Sequence, residues 1–132
     1  MQVIAPPRVL VVIPDQWPRA HIRAALRETG YDAIGAASVP DALAHRAFEP
    51  ERGAVGAIVL DAAAVHDHDA ALERLQHRHA NAPVILLTSA VVQPPVGEWD
   101  RVLRRPFTVE DVVRAVSALA PLPEDQRRPV DG

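Results

Sequence analysis

The sequence contains no cysteine among its 132 residues. Disulfides, thiol redox chemistry and thiolate zinc sites are therefore excluded, and this absence is typical of a cytoplasmic protein. Clusters of like charge are also lacking, since the formal net charge is -3 and acids and bases are interspersed. We therefore expect no nucleic-acid binding by this chain alone. No long apolar run is present either, so we expect no signal peptide, membrane span or membrane partner.

Three short apolar runs, rich in valine and isoleucine, predict buried strands at residues 8–13, 57–61 and 83–88. They are too short for helices and do not alternate with polar residues, which is typical of parallel strands covered on both faces. Weaker strand patterns occupy residues 31–36 and 101–103.

Helical patterns lie between these strands. The clearest begins after Thr108, which is predicted to cap a helix with Asp111 at its third position. Three more are predicted, around Pro18, after Ser38 and around Leu72. Strands that alternate with helices predict an α/β fold with a doubly wound parallel sheet.

One domain is expected over residues 1–120, a length that can bury a single core. Residues 121–132 contain three prolines and five charges. This composition predicts a disordered tail or linker. We expect the chain to be either a free-standing protein or the amino-terminal part of a longer regulator, since this tail resembles a linker.

Several motifs together resemble the receiver domain of bacterial response regulators, over roughly residues 7–120. They are the run VLVV, the pair Gly30-Tyr31, strands ending in Asp61 and Thr88, the triplet Arg105-Pro106-Phe107, and Arg19. The resemblance implies a flavodoxin-like fold with a five-stranded parallel sheet of order 2-1-3-4-5. It also implies a site at the carboxyl ends of the strands.

The resemblance assigns roles to three residues. Asp61 takes the phosphoacceptor position, and Thr88 takes the position of a hydroxyl that contacts the phosphoryl group. Arg105 stands where the family has a lysine that contacts the same group. Thr88 and Arg105 are thus the switch positions.

Ile13 and Pro14 stand where an active receiver has its metal-binding acidic pair. Asp15 comes one position late, and we expect its carboxylate to cap the first helix instead. Magnesium is usually held through one or two carboxylates with waters and phosphate oxygens. We therefore expect no resident cofactor or metal, with Mg²⁺ bound weakly at most.

The rest of the site also departs from the family. Residues 62–69 replace the usual loop after the phosphoacceptor, and Pro94-Pro95 interrupts the segment before the last strand. The fourth helix is therefore predicted to be shortened or absent. Val102 stands at the position of the aromatic switch residue.

Two clusters allow more than one interpretation. His66 and His68, with the aspartates beside them, are interpreted as a polar loop rather than a transition-metal site. Trp17 and Trp99 are expected in loops at the site end of the sheet, as rim packing or as a contact patch for a partner. We also expect Arg105 to pair with Asp61 and to supply positive charge that Mg²⁺ would bring.

The sequence thus predicts an atypical receiver domain, a cytoplasmic signalling and protein-interaction module rather than an enzyme. Its partner would be a histidine kinase or a downstream regulator, and a homodimer is left open. One alternative is a phosphoacceptor of a two-component pathway, phosphorylated at Asp61. A second is a small flavodoxin-like ligand-binding domain, which is disfavoured because no glycine-rich phosphate loop follows VLVV and Pro14 lacks an N–H donor.

Overall fold

The computed structural model describes residues 5–91 and 93–123. Within them the chain forms six strands, four α-helices and one 3₁₀ helix. The strands are β1 (Arg8–Val12), β2 (Asp32–Ala36), β3 (Phe48–Glu49), β4 (Gly53–Asp61), β5 (Val84–Thr88) and β6 (Arg101–Arg104). The α-helices are α1 (Gln16–Thr29), α2 (Val39–Ala42), α3 (Ala70–Arg78) and α4 (Val109–Leu119), and the 3₁₀ helix is Ala62–Ala64.

Five strands form a parallel sheet in the order β2-β1-β4-β5-β6. Counted without the short β3, this is the predicted order 2-1-3-4-5, so the predicted doubly wound fold is confirmed. The sequence did not indicate β3, which pairs antiparallel with the start of β4 at Gly53 and Ala54. This pairing extends β4 four residues upstream of its predicted start.

Both faces of the sheet are buried, which explains the continuous apolar runs. Val9 and Val11 face one core with α1 and α4, whereas Leu10 and Val12 face a second core with α2 and α3. The central strands β1, β4 and β5 therefore need apolar side chains at successive positions. Leu122 joins the first core, and the predicted tail beyond residue 123 lies outside the described residues.

The helix boundaries follow local capping chemistry. Thr108 Oγ1 accepts a hydrogen bond from Asp111 N at 3.1 Å, and Asp111 Oδ2 accepts one from Thr108 N at 2.8 Å. This is the capping box that the sequence predicts for α4. Ser38 likewise caps α2 through Asp41 N, although α2 has only four residues.

Between β5 and β6, the described residues 89–91 and 93–100 contain no helix. The predicted loss of the fourth helix is therefore confirmed for those residues. Residues 93–100 instead return to β6 as a segment that we call the strap. Trp99 secures the strap by donating from Nε1 to the Pro95 carbonyl at 2.9 Å and by packing on the second core.

Arg8 is fully buried at the start of β1. Its guanidinium donates to the carbonyls of Gly53, Arg46 and Ala47 and lies 3.4 Å from Glu49 Oε1. Because a buried charge must be paired and hydrogen-bonded, this network fixes the hairpin of β3 and β4 against β1.

Candidate functional site

The candidate site lies at the carboxyl ends of the central strands. Asp61 ends β4, Thr88 ends β5 and Arg105 follows β6. The ladder brings them together, since Asp61 pairs with Leu87, and Arg105 N donates to the Thr88 carbonyl at 3.0 Å. All three line one cleft of about 380 Å³, with Ala62, Ala63, Ser89, Gln93 and Pro95.

Both carboxylate oxygens of Asp61 are engaged. Oδ1 accepts a hydrogen bond from Ala63 N at 2.9 Å, which caps the 3₁₀ helix, and Oδ2 lies 3.4 Å from Arg105 Nη2. The Asp61 side chain is only 11% exposed. A carboxylate with so little water around it needs a cation or several donors, and Arg105 is the cation that the structure places there.

Arg105 contacts Asp61 through a single nitrogen rather than through both arms of its fork. Its side chain is 48% exposed, and its guanidinium carbon lies 5.3 Å from the centre of the Phe107 ring. The chain contains no lysine at all, so arginine in place of lysine is not by itself evidence of a changed function at this position. The informative observation is the short distance between Arg105 Nη2 and Asp61 Oδ2.

Ile13 and Pro14 bring no carboxylate to this edge. The Ile13 side chain is fully buried in the first core, and Pro14 is exposed. Their carbonyl oxygens instead accept hydrogen bonds from Arg19 Nη1, at 2.7 Å and 3.2 Å. A guanidinium therefore closes the loop between β1 and α1.

Asp15 is the residue before α1, but its side chain makes no capping hydrogen bond. The prediction that its carboxylate caps the helix is therefore wrong. A capping carboxylate accepts from the second or third helical N–H. The third helical residue here is Pro18, which has none.

These residues do not fit a magnesium ion. Mg²⁺ requires nearly octahedral oxygen ligation, usually from one or two carboxylates, but Asp61 is already bonded to Ala63 N and Arg105. After the neighbouring strand β1, the positively charged guanidinium of Arg19 donates to the carbonyls of Ile13 and Pro14. Both guanidiniums would repel a divalent cation at this edge.

The loop after the 3₁₀ helix is organised by Asp69. Its two carboxylate oxygens accept hydrogen bonds from Leu72 N and His66 N, so it caps α3 and folds the loop back on itself. His68 takes a left-handed backbone conformation, with φ of 53°. Within the described residues, no group of three His, Cys, Asp or Glu side chains is arranged to hold a metal ion.

The two tryptophans lie only in part as predicted, since Trp17 follows the carboxyl end of β1 and Trp99 packs on the second core. Trp17 belongs to the first turn of α1 rather than to a loop, and its side chain is 71% exposed. Trp99 precedes β6, and the next residue, Asp100, donates from its N–H to the Val84 carbonyl. Trp99 therefore lies toward the amino-terminal ends of the strands, away from Asp61.

The contacts of Arg19 at this edge were not predicted. The sequence marks Arg19 only as part of the resemblance, although an arginine in the first turn of α1 can reach back to the end of β1.

Within the described residues, no helix is long and apolar enough to cross a membrane.

No protein-family model matches the chain, and no curated protein sequence matches it significantly. Solved structures do match. A response regulator from Thermotoga maritima is similar with a TM-score of 0.69 and 16% identity, over 87% of this chain and 98% of that one. For the chemotaxis protein CheY4 of Vibrio cholerae the TM-score is 0.65 and the identity 21%, over 87% and 99% of the two chains. For the receiver domain of Francisella response regulator 1452 the TM-score is 0.62 and the identity 22%, over 86% of this chain and 96% of that one. The fold of this chain is therefore that of response regulator receiver domains.

Proposed function

We propose that this chain is an atypical response regulator receiver domain, a cytoplasmic signalling and protein-interaction module that is not an enzyme and works without Mg²⁺-dependent phosphorylation. The observation that carries the proposal is the contact of 3.4 Å between Asp61 Oδ2 and Arg105 Nη2, at an edge where Ile13 and Pro14 supply no carboxylate. The fold supports the receiver part of the proposal.

The Asp61–Arg105 pair performs part of the work of a metal ion. It compensates the buried carboxylate and links the end of β4 to the chain beyond β6. The Arg105 backbone N–H also bonds to the end of β5. The ends of β4, β5 and β6 are thus held together by contacts within the protein. The domain therefore presents one fixed surface to a protein partner. This partner would be either a histidine kinase or a downstream regulator.

A second candidate function is phosphorylation at Asp61, and the cleft is the observation that favours it. Ala63 N–H, the Thr88 hydroxyl and Arg105 line about 380 Å³ beside the carboxylate. These groups can hold phosphoryl oxygens as donors. In that reaction a carboxylate oxygen of Asp61 attacks the phosphorus of an acyl phosphate, and a carboxylate leaves.

Incubation with acetyl phosphate, with and without Mg²⁺, followed by intact mass measurement separates these functions. We expect no gain of a phosphoryl group under either condition, while an active receiver treated alongside gains one. Asp67→Asn, an exposed change in the neighbouring loop, is the matched control for Asp61→Asn. A stoichiometric gain that is present in Asp67→Asn and lost in Asp61→Asn would overturn the proposal and establish the second function.

A further inference from the structure

Three arginines of α1 lie one helical turn apart along the free edge of β2. They are Arg19, Arg23 and Arg27, and β2 is the outer strand of the sheet. Arg27 Nε donates to the Ala33 carbonyl of β2 at 3.3 Å. The stems of Arg19 and Arg23 cover Gly35, where an added Cβ would lie 3.2 Å and 2.8 Å from their Cδ atoms. We call these three residues the arginine strip.

The positive charge of the arginine strip is not compensated within the described part of the chain. Neither Arg19, Arg23 nor Arg27 forms an ion pair there, in contrast to Arg8, Arg52, Arg105 and Arg114. The Arg23 Nε atom is buried and has no hydrogen-bond partner among those residues. Burial, and then repulsion from Arg27 and Arg19, lower the pKa of Arg23.

Protection of a sheet edge does not explain this arrangement. A single charged side chain is enough to discourage pairing with another strand, and Arg27 already occupies an edge carbonyl. Three guanidiniums in a row repel one another, and like charges four residues apart destabilise a helix. An anionic group bound across them would remove that repulsion.

The spacing of the arginine strip indicates what kind of anion fits. Residues four apart on a helix are separated by about 6 Å along its axis. Alternate residues of an extended chain are separated by about 6.6 Å, with their side chains on one side. Carboxylates at alternate positions of an extended segment therefore match successive arginines. The guanidinium nitrogens that do not donate to backbone carbonyls can bind these carboxylates with charge-assisted hydrogen bonds.

A membrane surface fits this site less well. Arg19 and Arg23 are half-buried in the angle between α1 and β2, where a narrow chain reaches and a flat bilayer does not. Trp17, the exposed aromatic residue of α1, lies on another side of the helix, since it precedes Arg19 by two residues. The arginines and the apolar side chain thus do not form one membrane-facing surface.

We infer that the arginine strip docks an extended acidic segment of a partner protein, with carboxylates at alternate positions. This surface lies beside the sheet edge and does not require chemistry at Asp61, so the inference goes beyond the proposed function. Arg19 also closes the loop between β1 and α1, so the tests use Arg23 and Arg27.

Fluorescence anisotropy with a labelled peptide of alternating glutamate and threonine tests the inference at low salt. Two control peptides carry glutamine for glutamate, or the same glutamates in one consecutive block. We expect Arg23→Gln and Arg27→Gln each to weaken binding about two- to fivefold, and Arg23→Lys to weaken it less. Arg74→Gln, an exposed change on α3, should bind as the native chain does.

Several results would overturn the inference. They are no binding of the alternating peptide, equal binding of the block peptide, and equal affinity of Arg74→Gln and the Arg23→Gln/Arg27→Gln double variant. Preferential binding to phosphatidylglycerol vesicles would indicate a membrane instead. Self-association that is lost in the double variant, measured by light scattering, would indicate a second copy of the chain. If the double variant does not fold, the exposed single variant Arg27→Gln is compared with Arg74→Gln in its place, and equal affinities would overturn the inference.

Discussion

Removal of Asp61 and Arg105, singly and together, should reveal a favourable coupling between them. Two unit charges 3.4 Å apart attract by about 5 kcal/mol at an effective dielectric constant of about 20. Because the Arg105 side chain is 48% exposed, water screens the charge and the ordered side chain loses entropy. We therefore expect a coupling free energy of about 1 kcal/mol, at the upper end for exposed pairs.

The variants Asp61→Asn and Arg105→Gln isolate the coupling free energy between the two side chains. The asparagine oxygen can still accept from Ala63 N, so the cap of the 3₁₀ helix remains. The contact of Arg105 with the Phe107 ring is lost in both backgrounds and cancels in the cycle.

Urea unfolding of the native chain, both single variants and the double variant gives the four free energies. Each single variant should lower the melting temperature by about 3 °C, and about 1 M NaCl should reduce the coupling. Additive effects, within about 0.3 kcal/mol, would refute the pairing. The proposal of a site held without metal would then lose its main support.

Two further predictions concern stability. Burial, and then Arg78, Arg8 and His45, lower the pKa of His79 below the ordinary value of 6.5. Below about pH 6.5 the unfolded chain therefore binds a proton at His79 that the folded chain does not bind, so the free energy of unfolding should fall as the pH is lowered through about 6.5. His79→Gln should flatten this fall in urea titrations at each pH, and an unchanged slope would contradict the assignment. Thr108→Ala should lower the free energy of unfolding by about 1 kcal/mol through loss of the helix cap, whereas Thr108→Ser should not, and equal losses would argue against the cap.

Local patterns predicted the parts of the fold that depend on neighbouring residues. The alternate burial of Val9 and Leu10 on two faces follows from continuous apolar strands, and the cap of α4 follows from Thr108 and Asp111. Pro94-Pro95 likewise predicted the loss of a helix. Each of these features is set by residues close together in the chain.

The features that the sequence did not reveal depend on contacts between distant residues. β3 exists because two residues meet the start of β4, and its anchor Arg8 lies about 40 positions earlier. A charged residue at the start of an apolar run gives no sign that backbone carbonyls will surround it. Asp15 makes no capping hydrogen bond, and Pro18, the third helical residue, has no N–H to offer one.

The position of the candidate site followed from the strand ends, because parallel strands bring their carboxyl ends to one edge. The resemblance then assigned Asp61, Thr88 and Arg105 to positions at that edge, where the three residues line one cleft. The sequence could not show that Arg105 uses only one nitrogen, nor that Arg19 reaches the carbonyls of Ile13 and Pro14. The atoms that these two side chains reach depend on contacts with other elements of the fold, which the sequence does not show.

The buried Arg8 has a mechanical consequence for the whole domain. Its guanidinium donates to carbonyls within and just before the β3–β4 hairpin and to Glu49, so the hairpin cannot detach without leaving a charge in an apolar interior. The amino-terminal edge of the sheet is therefore stiff. The β3–β4 hairpin should therefore unfold together with the rest of the sheet rather than open by itself.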